Sequence, residues 1–146
     1  MNTLKNVRSL SCLCAELKRA SRAVTRLYDD AQRELGLSSG QLMLLFAMQE
    51  GPRSQMQLGE TFSMDTTTLT RSLRLLAQKG YIETREGRAD RRERWHELTA
   101  EGRKLVREGH ARWLEVQQAL FQRMGDRLDF DALRSQLHVI VAAAED

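Results

Sequence analysis

The sequence predicts a mainly α chain interrupted once by a short β-hairpin, and three observations predict it. Apolar residues recur at spacings of three and four over most of the 146 residues. The chain holds a single proline, Pro52, where frequent prolines would break long helices. Directly after Gly80 the helical spacing gives way to two short runs, rich in strand-forming residues, around a polar turn. With 41% hydrophobic residues the chain is globular rather than disordered. Its length suits one domain and leaves no room for a catalytic domain beside a binding domain. The longest apolar run, Leu42 to Met48, is far short of a membrane span, so no membrane partner is expected. Glu16 and Lys18 interrupt the first twenty residues, which argues against a signal peptide and for a cytoplasmic protein.

The elements follow in order. Leu10, Leu13, Leu17, Ala20, Val24, Leu27, Ala31 and Leu35 form one stripe, predicting a helix from about Ser9 to Glu34 with Gly36 as its stop. Ser38 or Ser39 can cap a second helix carrying Leu42, Leu45, Phe46 and Met48, and Gly51-Pro52 closes it. Ser54 is a candidate cap for a short third helix to about Thr61. After the turn Phe62-Ser63-Met64, Asp65 or Thr66 opens a fourth helix to about Lys79. Helices so closely spaced fit a helix-turn-helix. Tyr81 to Arg85 and Arg94 to Leu98 read as the two strands of a hairpin, with Gly87 available for its turn. Thr99 then caps a long helix that ends at Gly125, and Asp126 to Ala144 reads as a last helix.

A hairpin placed after a helix-turn-helix is a wing. The expected architecture is therefore a winged helix-turn-helix with a two-stranded wing, flanked by long N- and C-terminal helices. The apolar stripes of those terminal helices exceed what a module of this size covers by itself, which points to a homodimer joined through them. The expected division is 1–36 and 99–146 for dimerisation and 37–98 for the DNA-binding lobe, within one chain of 1–146.

The net charge of +3 hides a local surplus. Between Thr66 and Arg94 stand eight positive residues against four negative, and seven of the eight are arginine. Arginine suits bidentate contact with phosphates and base edges. A charge run alone is more often a solvated face; its place on a helix-turn-helix and wing gives it a function. On the fourth helix Leu69, Leu73 and Leu76 fall on one side and Thr67, Arg71, Arg74 and Gln78 on the other, with Thr70 on the flank. Arg can read guanine, Gln adenine, and Thr a phosphate or a thymine methyl. The candidate DNA contacts are Ser54, Thr66, Thr67, Thr68, Thr70, Arg71 and Arg74, with Arg88, Asp90, Arg91, Arg92 and Arg94 on the wing. Wing arginines suit a narrow minor groove, and Asp90 is close enough in sequence to orient one of them.

These residues resemble the MarR family of bacterial winged-helix regulators over about Leu10 to Ile140. The resemblance rests on Leu35-Gly36-Leu37 with Gln41, on Leu58 with Phe62-Ser63-Met64-Asp65, and on Thr66-Thr67-Thr68-Leu69-Thr70-Arg71. Leu76, Lys79-Gly80-Tyr81-Ile82, Asp90-Arg91-Arg92 and Leu98-Thr99-Ala100-Glu101-Gly102 complete it. It implies a homodimeric, sequence-specific DNA-binding transcriptional regulator, usually a repressor, acting on a palindromic operator and released by a small-molecule effector or by thiol oxidation. It also implies that the wing's Asp-x-Arg, here Asp90 and Arg92, contacts DNA. Many members carry an acidic residue where this chain has Arg74, which implies a different base preference or an added phosphate contact.

Cys12 and Cys14 are too few for a disulfide scaffold. Cys14 and Tyr28 fall close to one line of the first helix. The stretch between them resembles that of members sensing organic hydroperoxides, which makes Cys14 a candidate sensor and Tyr28 its partner. Lys18 stands where those members have a second tyrosine. The plainer alternative for Cys14 is a small apolar filler. His96, His110 and His138 lack ligand spacing, so neither metal nor cofactor is expected, and no catalytic constellation is visible. A non-specific architectural DNA binder remains the alternative from a different class, separable by the ratio of specific to random affinity at fixed salt.

Overall fold

A computed structural model describes residues 12–145. Helix α1 spans Leu13–Gln32 and passes into a 3-10 turn, Arg33–Leu35. Its first turn as predicted from Ser9, with Leu10, lies outside the described residues. Gly36 ends the turn in the left-handed region (φ 65°), where a side chain would be strained. Helix α2 spans Ser39–Ala47. Ser38 rather than Ser39 is its cap, in a reciprocal box with Gln41. It ends four residues before Gly51, ahead of the predicted Gly-Pro stop. Helix α3 covers Gln55–Phe62 and α4 covers Thr66–Gln78. Between them Ser63 takes a left-handed conformation (φ 46°) and Asp65 caps α4.

The wing strands are β2, Ile82–Glu86, and β3, Arg94–Leu98, paired antiparallel from Ile82 opposite Leu98 to Glu86 opposite Arg94. A third strand, β1, is only Arg53–Ser54, and pairs with Trp95 and His96 of β3, giving the order β1-β3-β2. Two residues carry no detectable period, so this strand had no signal in the sequence. Helix α5 spans Ala100–Met124. The last helix, α6, is Phe130–Glu145, and the segment from Asp126 that was predicted as its start is instead a 3-10 turn at Gly125–Arg127. Asp129 caps α6 through the Ala132 amide at 3.0 Å, which fixes the later start.

The chain divides into two compact units, Met1–Trp113 and Leu114–Asp146. The core of the first joins Leu42, Leu44, Leu45 and Met48 of α2 to Leu58 of α3 and Leu69, Leu73 and Leu76 of α4. Ile82, Leu98, Leu105 and Val106 close it from the wing base and α5. The base is fastened tightly. Thr99 donates its hydroxyl to the Gly80 carbonyl at 2.6 Å and its amide to the Tyr81 carbonyl at 3.1 Å, and also caps α5 through the Gly102 amide. In the second unit Phe121 packs on Phe130, yet Leu114, Phe121, Phe130, Leu137, Val139 and Val141 all stay exposed. Leu13 and Val24 of α1 are exposed too, although they belong to the predicted apolar stripe.

Candidate nucleic-acid interface

The geometry of α4 follows from its sequence. Burial of Leu69, Leu73 and Leu76 fixes the rotation of the helix about its axis. Thr66, Thr67, Thr70, Arg71, Arg74 and Gln78 are then left exposed. The first turn is held by Asp65, whose carboxylate accepts from the Thr68 amide at 2.9 Å and from the Thr68 hydroxyl at 2.6 Å. Chiefly the Thr68 hydroxyl, then its amide, keeps the Asp65 carboxyl below the usual carboxylate range. Gln55, at the start of α3, donates from Nε2 to the Thr70 hydroxyl oxygen at 2.8 Å and ties the two helices together at this face. Nothing in the sequence pattern singled out Gln55.

Ser54 does not belong with this exposed set. It is only 1% exposed, and its hydroxyl accepts from the Gln57 amide at 3.2 Å while its own amide donates to the Gln57 side chain at 3.0 Å. Its expected DNA contact is therefore corrected to a capping role: the side chain is spent inside the fold. The Ser-x-x-Gln spacing was the available signal for that box.

The wing turn is built around a close approach at Gly87, where an added Cβ would lie 2.5 Å from the Asp90 carbonyl oxygen. The Gly87 amide donates to the Glu93 carbonyl at 2.9 Å, and the Glu93 amide to that of Asp90 at 3.1 Å. Asp90 holds Arg92 by its amide (2.9 Å), Nε (3.2 Å) and Nη2 (3.3 Å). Arg92, by its side chain first and then its amide, holds the Asp90 carboxyl below its ordinary range. Glu86 pairs with both Arg91 (3.3 Å) and Arg94 (3.4 Å). Arg71, Arg74 and Arg88 have no ion-pair partner among the described residues. Such cations can take a phosphate or a base edge without first giving up a carboxylate.

Beneath the wing His96 is buried. Its Nδ1 shares a hydrogen bond with the Thr84 hydroxyl at 3.0 Å, and its Nε2 has no partner among the described residues. Burial pushes its pKa down, so the ring is held neutral.

A separate cavity of about 160 Å3 lies between α1, α2 and the part of α5 in the first unit. Val24, Tyr28, Leu42, Met43, Phe46 and Trp113 give it an apolar and aromatic lining, and Gln32 is its most buried polar group. Gln32 donates to the Gly109 carbonyl at 3.3 Å, and its side-chain oxygen lacks a partner among the described residues. Desolvation raises the Tyr28 pKa. Cys12 and Cys14 are both exposed free thiols. Fourteen residues of helix separate Cys14 from Tyr28, roughly 21 Å at the α-helical rise, so the structure does not bring them together within one chain. Among the described residues no cluster of metal-ligating side chains occurs, and no helix is long and apolar enough to cross a membrane.

A buried-leucine helix presenting threonine and arginine outward, followed by an arginine-tipped hairpin, defines a winged helix-turn-helix. The sequence pattern of the MarR family matches residues 35–93. The fold is similar to the crystal structure of the M. tuberculosis transcriptional regulator MOSR in complex with DNA. That similarity has 30% identity and a TM-score of 0.82, over 92% of this chain and 97% of that one. A mutant MarR from E. coli complexed with operator DNA shares the fold at 22% identity and a TM-score of 0.72, over 90% and 92% of the two chains. A Bacillus subtilis protein described as an uncharacterized HTH-type transcriptional regulator, YwoH, is 25% identical over 109 residues, 74% of this chain and 79% of its own. The chain belongs to the MarR family: it is a DNA-binding transcriptional regulator.

Proposed function

We propose that this regulator is a cytoplasmic homodimer that binds a palindromic operator as a repressor, with α4 in the major groove and the wing arginines in the adjacent minor groove. The observation that carries the reading is the outward face of α4. Arg71 and Arg74 stand there exposed and without an ion-pair partner among the described residues, while the opposite leucines lock the helix in place. The proposed contacts are Thr66, Thr67, Thr68, Thr70, Arg71 and Arg74 on α4, and Arg88, Arg91, Arg92 and Arg94 on the wing with Asp90 orienting Arg92. The exposed Leu114, Phe121, Leu137 and Val141 support a dimer, since apolar surface of that extent is otherwise costly in water. Two copies present two reading helices to half-sites about one turn apart, roughly 34 Å. Segments 1–36 and 99–146 supply dimerisation and 37–98 the reading lobe.

The cavity beside Tyr28 supports release by a small apolar or aromatic effector. Filling it would bias the packing of α1 and α2, and with it the spacing of the two reading helices. The exposed thiol of Cys14 favours a second reading, in which oxidation takes the effector's place; a Cys14–Tyr28 pair would then have to form between protomers. The test is selection from random duplexes followed by sizing of the complex. Enrichment of an inverted repeat bound by two chains is expected. Binding that ranks all duplexes equally would instead mark an architectural protein.

A further inference from the structure

We infer that Gln55 is a positioning residue that occupies one oxygen lone pair of Thr70 and orients its hydroxyl, so that Thr70 meets DNA as a donor through its unshared proton. The inference rests on the DNA-reading face proposed above and assigns it chemistry that residue types alone do not contain. A threonine hydroxyl can both donate and accept, so on a bare helix face it discriminates little. Here two of the hydroxyls are already half used, in opposite senses. Thr68 gives its proton to the Asp65 carboxylate, which leaves only its oxygen lone pairs for another partner. Thr70 receives a proton from the Gln55 amide nitrogen, which can only donate. The Thr70 proton has no internal acceptor among the described residues. Thr61 and Ser135, by contrast, turn theirs back to the carbonyls of Gln57 and Asp131, four residues earlier. Thr70 is exposed, so its proton is left for an acceptor in the groove: guanine O6 or N7, thymine O4, adenine N7 or a phosphate oxygen. Gln55 anchors this arrangement from the first turn of α3, whose cap, Ser54, is itself buried in a reciprocal box with Gln57.

The test uses the full chain, a duplex enriched by it from a random pool, and a random duplex at the same salt. Thr70→Val, which removes the donor, is expected to raise Kd on the enriched duplex about threefold to tenfold. Gln55→Ala should weaken binding in the parent but not in the Thr70→Val background, because Gln55 acts through Thr70. Gln55→Glu, which can accept but not donate, should cost more in the parent than in Thr70→Val; measuring it in both backgrounds cancels the effect of its added charge. If the lost contact is to a base, only the enriched duplex suffers; if to a phosphate, both duplexes suffer equally. Equal effects of the Gln55 substitutions in the two backgrounds, or no loss with Thr70→Val, would overturn the inference while leaving DNA reading intact. Failure of the parent to enrich any sequence would overturn that reading and this inference together.

Discussion

Gly102→Ala is the sharpest test of how the wing is held. In the first turn of α5 an ideal Cβ at this position would lie 2.0 Å from the Tyr81 carbonyl oxygen and 3.0 Å from its carbon. Carbon and carbonyl oxygen normally approach to about 3.3 Å. The overlap exceeds an ångström, and the obstructing atoms are backbone, so no rotamer relieves it. Either α5 or the residues before β2 must shift by that much. A shift of this size stretches the bonds from the Thr99 hydroxyl to Gly80 (2.6 Å) and from the Thr99 amide to Tyr81 (3.1 Å) towards or beyond their useful range. Two such bonds contribute about 1 kcal/mol each, and overpacking adds about 1–3 kcal/mol. Alanine regains about 1 kcal/mol of helix propensity. The net destabilisation is about 2–4 kcal/mol, equivalent to a urea midpoint lower by roughly 1–2 M. Gly109→Ala is the control. Its Cβ meets Leu42 Cδ1 at 2.6 Å, the far end of a side chain that can turn, and about 0–2 kcal/mol is expected. Urea unfolding followed by circular dichroism reads both. A Gly102→Ala protein as stable as the parent, or more stable than Gly109→Ala, would refute the reasoning.

Three further outcomes are expected. Ser54→Ala should lose about 1–2 kcal/mol of unfolding free energy, because it removes a buried cap, yet leave the selected sequence unchanged; an altered base preference would return Ser54 to the contact set. For His96 the unfolded state takes up a proton as pH falls through its ordinary value of about 6.5, whereas the buried ring resists protonation. Stability is thus full above that value and declines below it until the folded ring also protonates. Urea midpoints at pH 7.5 and 5.5 should fall further for the parent than for His96→Gln, and equal falls would exclude His96 as the source. Arg92→Ala should weaken binding to all duplexes and reduce the slope of log affinity against log salt by about one, and Asp90→Ala/Arg92→Ala should recover part of the loss by removing the stranded carboxylate. An unchanged slope would remove Arg92 from the DNA contacts.

The helices and the wing were legible because each rests on a local signal. The leucines of α4 recur with helical spacing, Ser38 and Ser54 each precede a glutamine by three residues, and Gly80 marks the change of period. Strand β1 was not legible, since two residues have no period and their pairing with β3 is long-range. The start of α6 was missed because Asp126 and Asp129 are equally plausible caps, and Gly125 takes a left-handed conformation (φ 51°) that opens a 3-10 turn first. At the candidate site the exposed arginines followed directly from the phase of α4. The burial of Ser54, the Gln55–Thr70 bond and the Gln32–Gly109 bond depend on where neighbouring elements land, and no spacing within one element encodes that.

Dimethyl sulfate footprinting of the selected duplex tests the central claim most directly, because the reagent methylates guanine N7 in the major groove and adenine N3 in the minor groove. Protection of guanine N7 in two patches about one helical turn apart, flanked by protection of adenine N3, is expected. Arg71→Ala with Arg74→Ala should then release the major-groove patches alone, and Arg92→Ala the minor-groove ones alone. Absence of major-groove protection in the parent complex, or loss of both patterns with either set of substitutions, would contradict the assignment of α4 and the wing to separate grooves.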